Sequence, residues 1–152
     1  MEKHTFLFLE GIWQATGVFY HPDTEPVGAV GEIKVIHTKD FWINESSLSL
    51  SDPNKSRFTH NYQIHPFRKD YTFWKSYNSA LGNLRGKFVI VGDTMIATYK
   101  GEEGNFNGVE YMQKIDNATY LHRGFAFKGE EKLSAWALEL KMIILKEKPK
   151  ND

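Results

Sequence analysis

Polar and apolar residues alternate along most of the chain, and Gly, Pro, Asn and Asp clusters cut the alternation into short runs. Alternation with a period of two marks half-buried strands, because successive side chains of a strand point to opposite faces. The segment from Ile12 to His21 carries Trp13, Phe19 and Tyr20 and breaks at Pro22-Asp23. In the next, Ile33 and Val35 alternate with Glu32 and Lys34. Read this way, strands are predicted over 12–21, 27–38, 41–50, 57–67, 71–77, 84–91, 94–100, 106–115, 119–128 and 132–144. Gly92-Asp93 and Asp116-Asn117 are the tightest hairpin signals between them. The last segment is rich in Ala and Leu. It still reads as a closing strand, since Trp136, Leu138, Leu140 and Met142 alternate with Ala137, Glu139 and Lys141. Helical periodicity is expected only as a single turn at Glu2 to Leu9.

About ten strands joined by short turns predict an all-β fold, a single up-and-down antiparallel β-barrel with a short N-terminal helical turn. Closure removes the two edges that an open sheet would expose. A two-sheet sandwich is the competing architecture. The domain is expected over 1–145, with a polar tail at 146–152. A barrel of this size has room to hold one small molecule.

Composition narrows the function classes. The 152 residues are 41% hydrophobic, enough for one packed core and too apolar for disorder. Nineteen basic and nineteen acidic residues cancel, so no global field draws nucleic acid or an anionic membrane. Zero cysteines exclude disulfides, iron–sulfur clusters, thiolate zinc and a cysteine nucleophile. Phe6 to Leu9 is stopped by Glu10, too short a run for a signal peptide or membrane span, and a cytoplasmic location is the expectation. The composition leaves a homodimer open.

Gly11-Ile12-Trp13 stands at the head of the first strand, directly after a short apolar segment. It resembles the Gly-x-Trp signature of calycins, the lipocalin and fatty-acid-binding-protein-like barrels. That resemblance implies that Gly11 and Trp13 close one barrel end, with Trp13 packed against a basic side chain from a late strand. The wider string Gly11-Ile12-Trp13-Gln14-Ala15-Thr16-Gly17 is similar to the opening of nitrobindin-like barrels, which implies haem held by one histidine. The paired cysteines of lipocalins and an Arg-x-Tyr clamp in the last strands are absent, which counts against fatty-acid binding.

Strand parity then selects candidate site residues. Arg123 shares a face with Leu121, Phe125 and Phe127 and is expected to point inward, stacked on Trp13 or anchoring a ligand. His60 shares a face with Phe58, Tyr62 and Ile64 and is the best candidate for a haem contact. His65 and His122 fall on the opposite faces, and His4, His21 and His37 lie near segment ends. No histidine pair has the spacing of a zinc site. Trp74, Tyr99 and Tyr111 lie mid-strand and, with His60, Tyr62 and Arg123, form the expected ligand-binding set. Glu110 is the one mid-strand carboxylate with partly apolar company and is expected to pair with Arg123. Arg57, Arg68, Lys69 and Lys75 come nearest to a basic track, but Asp52 and Asp70 interrupt them, so no nucleic-acid partner is expected.

No nucleophile elbow, phosphate loop or His-Glu-x-x-His occurs, so no catalytic residue is assigned and an enzyme is disfavoured. The expectation is a carrier or sensor of a small, largely apolar molecule, without membrane insertion and with no cofactor required. A haem-binding or isomerase-type enzyme in the same barrel, and an interaction protein with a solid core, are the alternatives.

Overall fold

A computed structural model describes residues 3–145, so the tail at 146–152 and the first two residues lie outside it. Ten strands are formed: β1 (Gly11–Tyr20), β2 (Val27–His37), β3 (Trp42–Leu50), β4 (Arg57–Ile64), β5 (Tyr71–Asn78), β6 (Gly82–Val91), β7 (Thr94–Gly101), β8 (Phe106–Asp116), β9 (Thr119–Lys128) and β10 (Glu131–Leu145). Each pairs antiparallel with its sequence neighbour, and β10 pairs with β1 to close the barrel. Closure rules out the two-sheet sandwich. Among the described residues no helix is long and apolar enough to cross a membrane.

The expected N-terminal helical turn is corrected. Among the described residues there is no helix; Phe6 to Phe8 form a turn, closed by Leu9 N–H donating to the Thr5 carbonyl at 3.0 Å. Leu7 sits at φ 68°, a left-handed conformation that a right-handed helix cannot contain. This segment crosses the end of the barrel where the β8–β9 turn lies. Thr5 Oγ1 donates to the Asn117 carbonyl at 2.7 Å, and His37 Nε2 donates to the Leu7 carbonyl at 2.7 Å. Phe6 and Leu7 are buried beneath it, so hydrogen bonds at the rim hold an apolar plug in place.

The interior explains which face of each strand turns inward. Three inward glycines stand directly opposite aromatic residues in the register: Gly86 opposite Trp74, Gly108 opposite Tyr99 and Gly124 opposite Trp136. In each case the ring folds over the glycine, and a Cβ there would overlap ring atoms. A barrel of ten strands cannot seat three more large side chains beside those rings. Filling one such space with Gly124→Ala is therefore expected to cost about 1–3 kcal/mol, the penalty of an overpacked core. Urea unfolding checks this, and an unchanged midpoint would show that Trp136 moves aside freely.

The same rule reverses the expected parity of β9. Its inward residues are Tyr120, His122, Gly124 and Ala126, while Leu121, Arg123, Phe125 and Phe127 face outward. Trp136 needs the small Gly124 beneath it, and register then carries the apolar set outside.

Candidate functional site

Hairpin turns on the side of β1–β2 and β5–β6 surround the mouth of the barrel, opposite the plugged end. Behind the mouth lies a cavity of about 410 Å³, reaching from His21 and Leu81 down to Phe6 and Phe88. Its walls are largely aromatic and aliphatic, as in most small-molecule sites.

The polar groups are gathered in two places. On β3, β4 and β5 the register aligns Asn44, Tyr62 and Ser76 as one rung, and Ser46, His60 and Asn78 as the next. His60 Nε2 donates to Ser76 Oγ at 2.7 Å, and Asn78 Nδ2 donates to His60 Nδ1 at 3.4 Å. Its ring also stacks on Tyr62, centroids 3.9 Å apart. Burial drives the His60 pKa down to about 4, against the opposing pull of Glu110, so the ring is neutral at pH 7. Asn44 is different. It lines the cavity at 6% exposure, and its Oδ1 has no hydrogen-bond partner.

Across the cavity stand Glu110 of β8 and His122 of β9. Glu110 Oε1 accepts from the Tyr62 hydroxyl at 3.1 Å, and Oε2 lies 3.1 Å from His122 Nε2. Burial pushes this carboxyl up, but the bond from His122, the charges of His122 and His60, and the Tyr62 bond together hold it below its ordinary value. The buried carboxylate is thus ionised and bonded at both oxygens, which is what a charge inside a barrel requires. Burial and the Glu110 charge push the Tyr62 hydroxyl well above its usual range, so it stays a donor. Trp136 Nε1–H also approaches His122 Nε2, at 3.3 Å. One ring nitrogen cannot donate to a carboxylate and accept from an indole at once. The ionised Glu110 takes the proton-bearing nitrogen, and the indole contact is the weaker of the two.

The expected ligand-binding set divides accordingly. His60, Tyr62 and Tyr99 line the cavity. Trp74 is buried against Tyr62, Phe88 and Tyr99 and supports the wall from behind. Tyr111 and Arg123 are corrected: they are opposite one another on the outer surface, with Tyr111 37% exposed. Arg123 donates to the carbonyls of His122 and Leu138 instead of stacking on Trp13 or pairing with Glu110. Trp13 is fully buried at the plugged end, with Phe6 and Tyr120 as its edge-on partners. At Gly11 a side chain would overlap the backbone of Ile144 on the closing strand.

His60 does not fit the role of an iron ligand as placed, because both ring nitrogens are bonded within the wall. Asn44, His122 and Trp136 are the residues that sequence reasoning missed. A glycine on one strand opposite an aromatic on the next was the available signal for the last two.

No protein-family model matches the sequence, and no curated protein matches it. Among solved structures, Rv2717c from M. tuberculosis is similar over 89% of this chain and 92% of its own, with TM-score 0.70 and 13% identity. The S-type phycobiliprotein lyase CPES from Guillardia theta is similar over 93% of this chain and 89% of its own, with TM-score 0.61 and 8% identity. What this chain shares with these two proteins is the fold, a closed antiparallel β-barrel.

Proposed function

We propose that the barrel binds a small, largely apolar molecule carrying one hydrogen-bonding group. The observation that supports this reading is the buried Asn44 amide, which lines the cavity with its Oδ1 unpaired, while His60 and Tyr62 beside it are bonded to Ser76 and Glu110; His122 Nδ1 is the other cavity-lining polar atom without a partner. An unpaired buried acceptor costs about 1–3 kcal/mol, and a donor on a bound molecule removes that cost. Aromatic walls supply burial, while Asn44 supplies orientation.

The test compares 1-naphthol with naphthalene, matched in shape and differing by one hydroxyl, by fluorescence titration. Both should bind, with 1-naphthol about three- to tenfold tighter, the worth of one net hydrogen bond. Asn44→Leu should erase the difference between them. Ser46→Phe, which projects a ring into the cavity, should abolish binding of both. Binding that survives Ser46→Phe would place the probes elsewhere and end the proposal. Arg123→Gln, on the outer surface, should change neither affinity.

A further inference from the structure

The strands β4, β5, β6 and β7 contain no Asp or Glu, yet carry Arg57, Lys75, Arg85, Lys87 and Lys100. In a chain of zero formal charge, cations are therefore segregated onto one side of the barrel. Register sets them side by side: Lys75 opposite Arg85, Arg85 opposite Lys100, and Lys87 opposite Phe73. Lys75, Arg85, Lys87 and Lys100 line a groove of about 460 Å³ that His65, Phe73 and Thr98 also border and that reaches down to Trp74, Gly86 and Tyr99 of the barrel wall, and no carboxylate lines it. Among the described residues, none of these four cations has an ion-pair partner.

Aromatic rings are interleaved with the charges. The outward positions of β5 are Tyr71, Phe73, Lys75 and Tyr77, spaced about 7 Å apart as alternate residues of a strand are. The three rings are 48%, 56% and 54% exposed. Tyr71 and Phe73 already pack edge to face, 6.0 Å between centroids, so part of this row is ordered without a partner.

We propose that this outer face of β5–β7 binds single-stranded nucleic acid, with bases stacked on Phe73 and Tyr77 and phosphates held by Lys75, Arg85, Lys87 and Lys100. Flat rings beside a cationic groove are the two elements such a site needs. The expectation against nucleic acid rested on the cancelling net charge and on Asp52 and Asp70 interrupting the cations along the chain; segregation of the cations onto β4–β7 gives this face a local field that the net charge hides. In the fold those acids sit in turns at opposite ends of the barrel, and neither lines the groove. An anionic bilayer fits less well, because the cations line a concave groove among the rings instead of ringing an apolar tip. The groove lies on the other side of the barrel wall from the interior cavity, with Tyr99 bordering both.

Fluorescence anisotropy with labelled twelve-nucleotide oligo-dT and oligo-U tests the proposal. Both should bind with Kd in the range of about 10⁻⁴ to 10⁻⁶ M, the range of sequence-independent binding. The slope of log K against log salt should be about −3, for four phosphates at about −0.7 each. Phe73→Ala with Tyr77→Ala should weaken binding about tenfold or more and leave the slope unchanged. Arg85→Gln with Lys87→Gln should make the slope shallower by about 1.4. All four side chains are exposed, so the folded state persists and circular dichroism verifies it. No binding at low salt, equal binding of duplex DNA, equal binding of phosphatidylglycerol vesicles or polyglutamate, or indifference to the loss of both rings would each overturn the proposal.

Discussion

Trp13→Ala should lower the stability of the barrel by about 3–5 kcal/mol, the cost of deleting a large aromatic from a packed core. Trp13 has no exposed surface and is held edge-on between Phe6, at 5.3 Å, and Tyr120, at 5.6 Å. Its loss leaves a void under the N-terminal segment, whose apolar residues pack on the same rings. The Tyr120 hydroxyl in turn bonds His4 Nδ1 at 2.8 Å and accepts from Thr5 N–H at 3.1 Å. A collapse around the missing indole would therefore strain the rim bonds as well. The indole nitrogen itself has no hydrogen-bond partner. Trp13→Phe should accordingly cost much less than Trp13→Ala, since it keeps most of the ring and removes a buried unpaired donor. Urea unfolding of both variants provides the comparison. A loss under about 1 kcal/mol for Trp13→Ala would show that the plug contributes little to the barrel.

Acidification from pH 6.5 to 4 should destabilise the protein by roughly 3 kcal/mol through His60 alone, on the scale of 1.36 kcal/mol per pKa unit. In the unfolded chain His60 titrates at the usual histidine value of 6.5, whereas in the barrel it titrates at about 4. Between those values the unfolded state binds a proton that the folded state refuses, so stability rises with pH across the window and is lost as pH falls. Glu110 acts in the same direction further down. Its folded pKa is depressed, so the stability it contributes is present above the usual glutamate value of 4.5 and disappears as pH falls below it. Midpoints of urea unfolding measured across the range should decline in these two stages. His60→Gln, which can still bond Ser76, should flatten the decline above pH 4.5 and leave the lower stage in place. A wild-type midpoint constant from pH 7 to 4.5 would show that His60 takes up its proton without opening the barrel. The same titration has a functional side: a charged His60 in the polar wall should weaken 1-naphthol binding before the fold is lost.

Alternation alone determined the number and order of the strands, because short turns force neighbours to pair in sequence and a period of two needs only local geometry. It also turned His60 and Tyr62 inward, as the fold has them, since on β4 one face is clearly apolar and the other polar; on β5 the more aromatic face, Tyr71, Phe73 and Tyr77, is the outer one. On β9 both faces hold apolar residues, and the bulkier set was assigned inward. Tertiary structure decided otherwise, because the space inside was already taken by Trp136 lying over Gly124. That one inversion removed Arg123 from the interior and brought His122 to Glu110. The N-terminal turn likewise depended on the plug it forms, with Leu7 left-handed against the barrel end. The outer cations belong to the same class: Lys75, Arg85, Lys87 and Lys100 are dispersed along the chain and meet only through the register of three strands. Periodicity in a sequence reports which residues share a face. Which face is inside, and which distant side chains become neighbours, is settled by the volume available when the sheet closes.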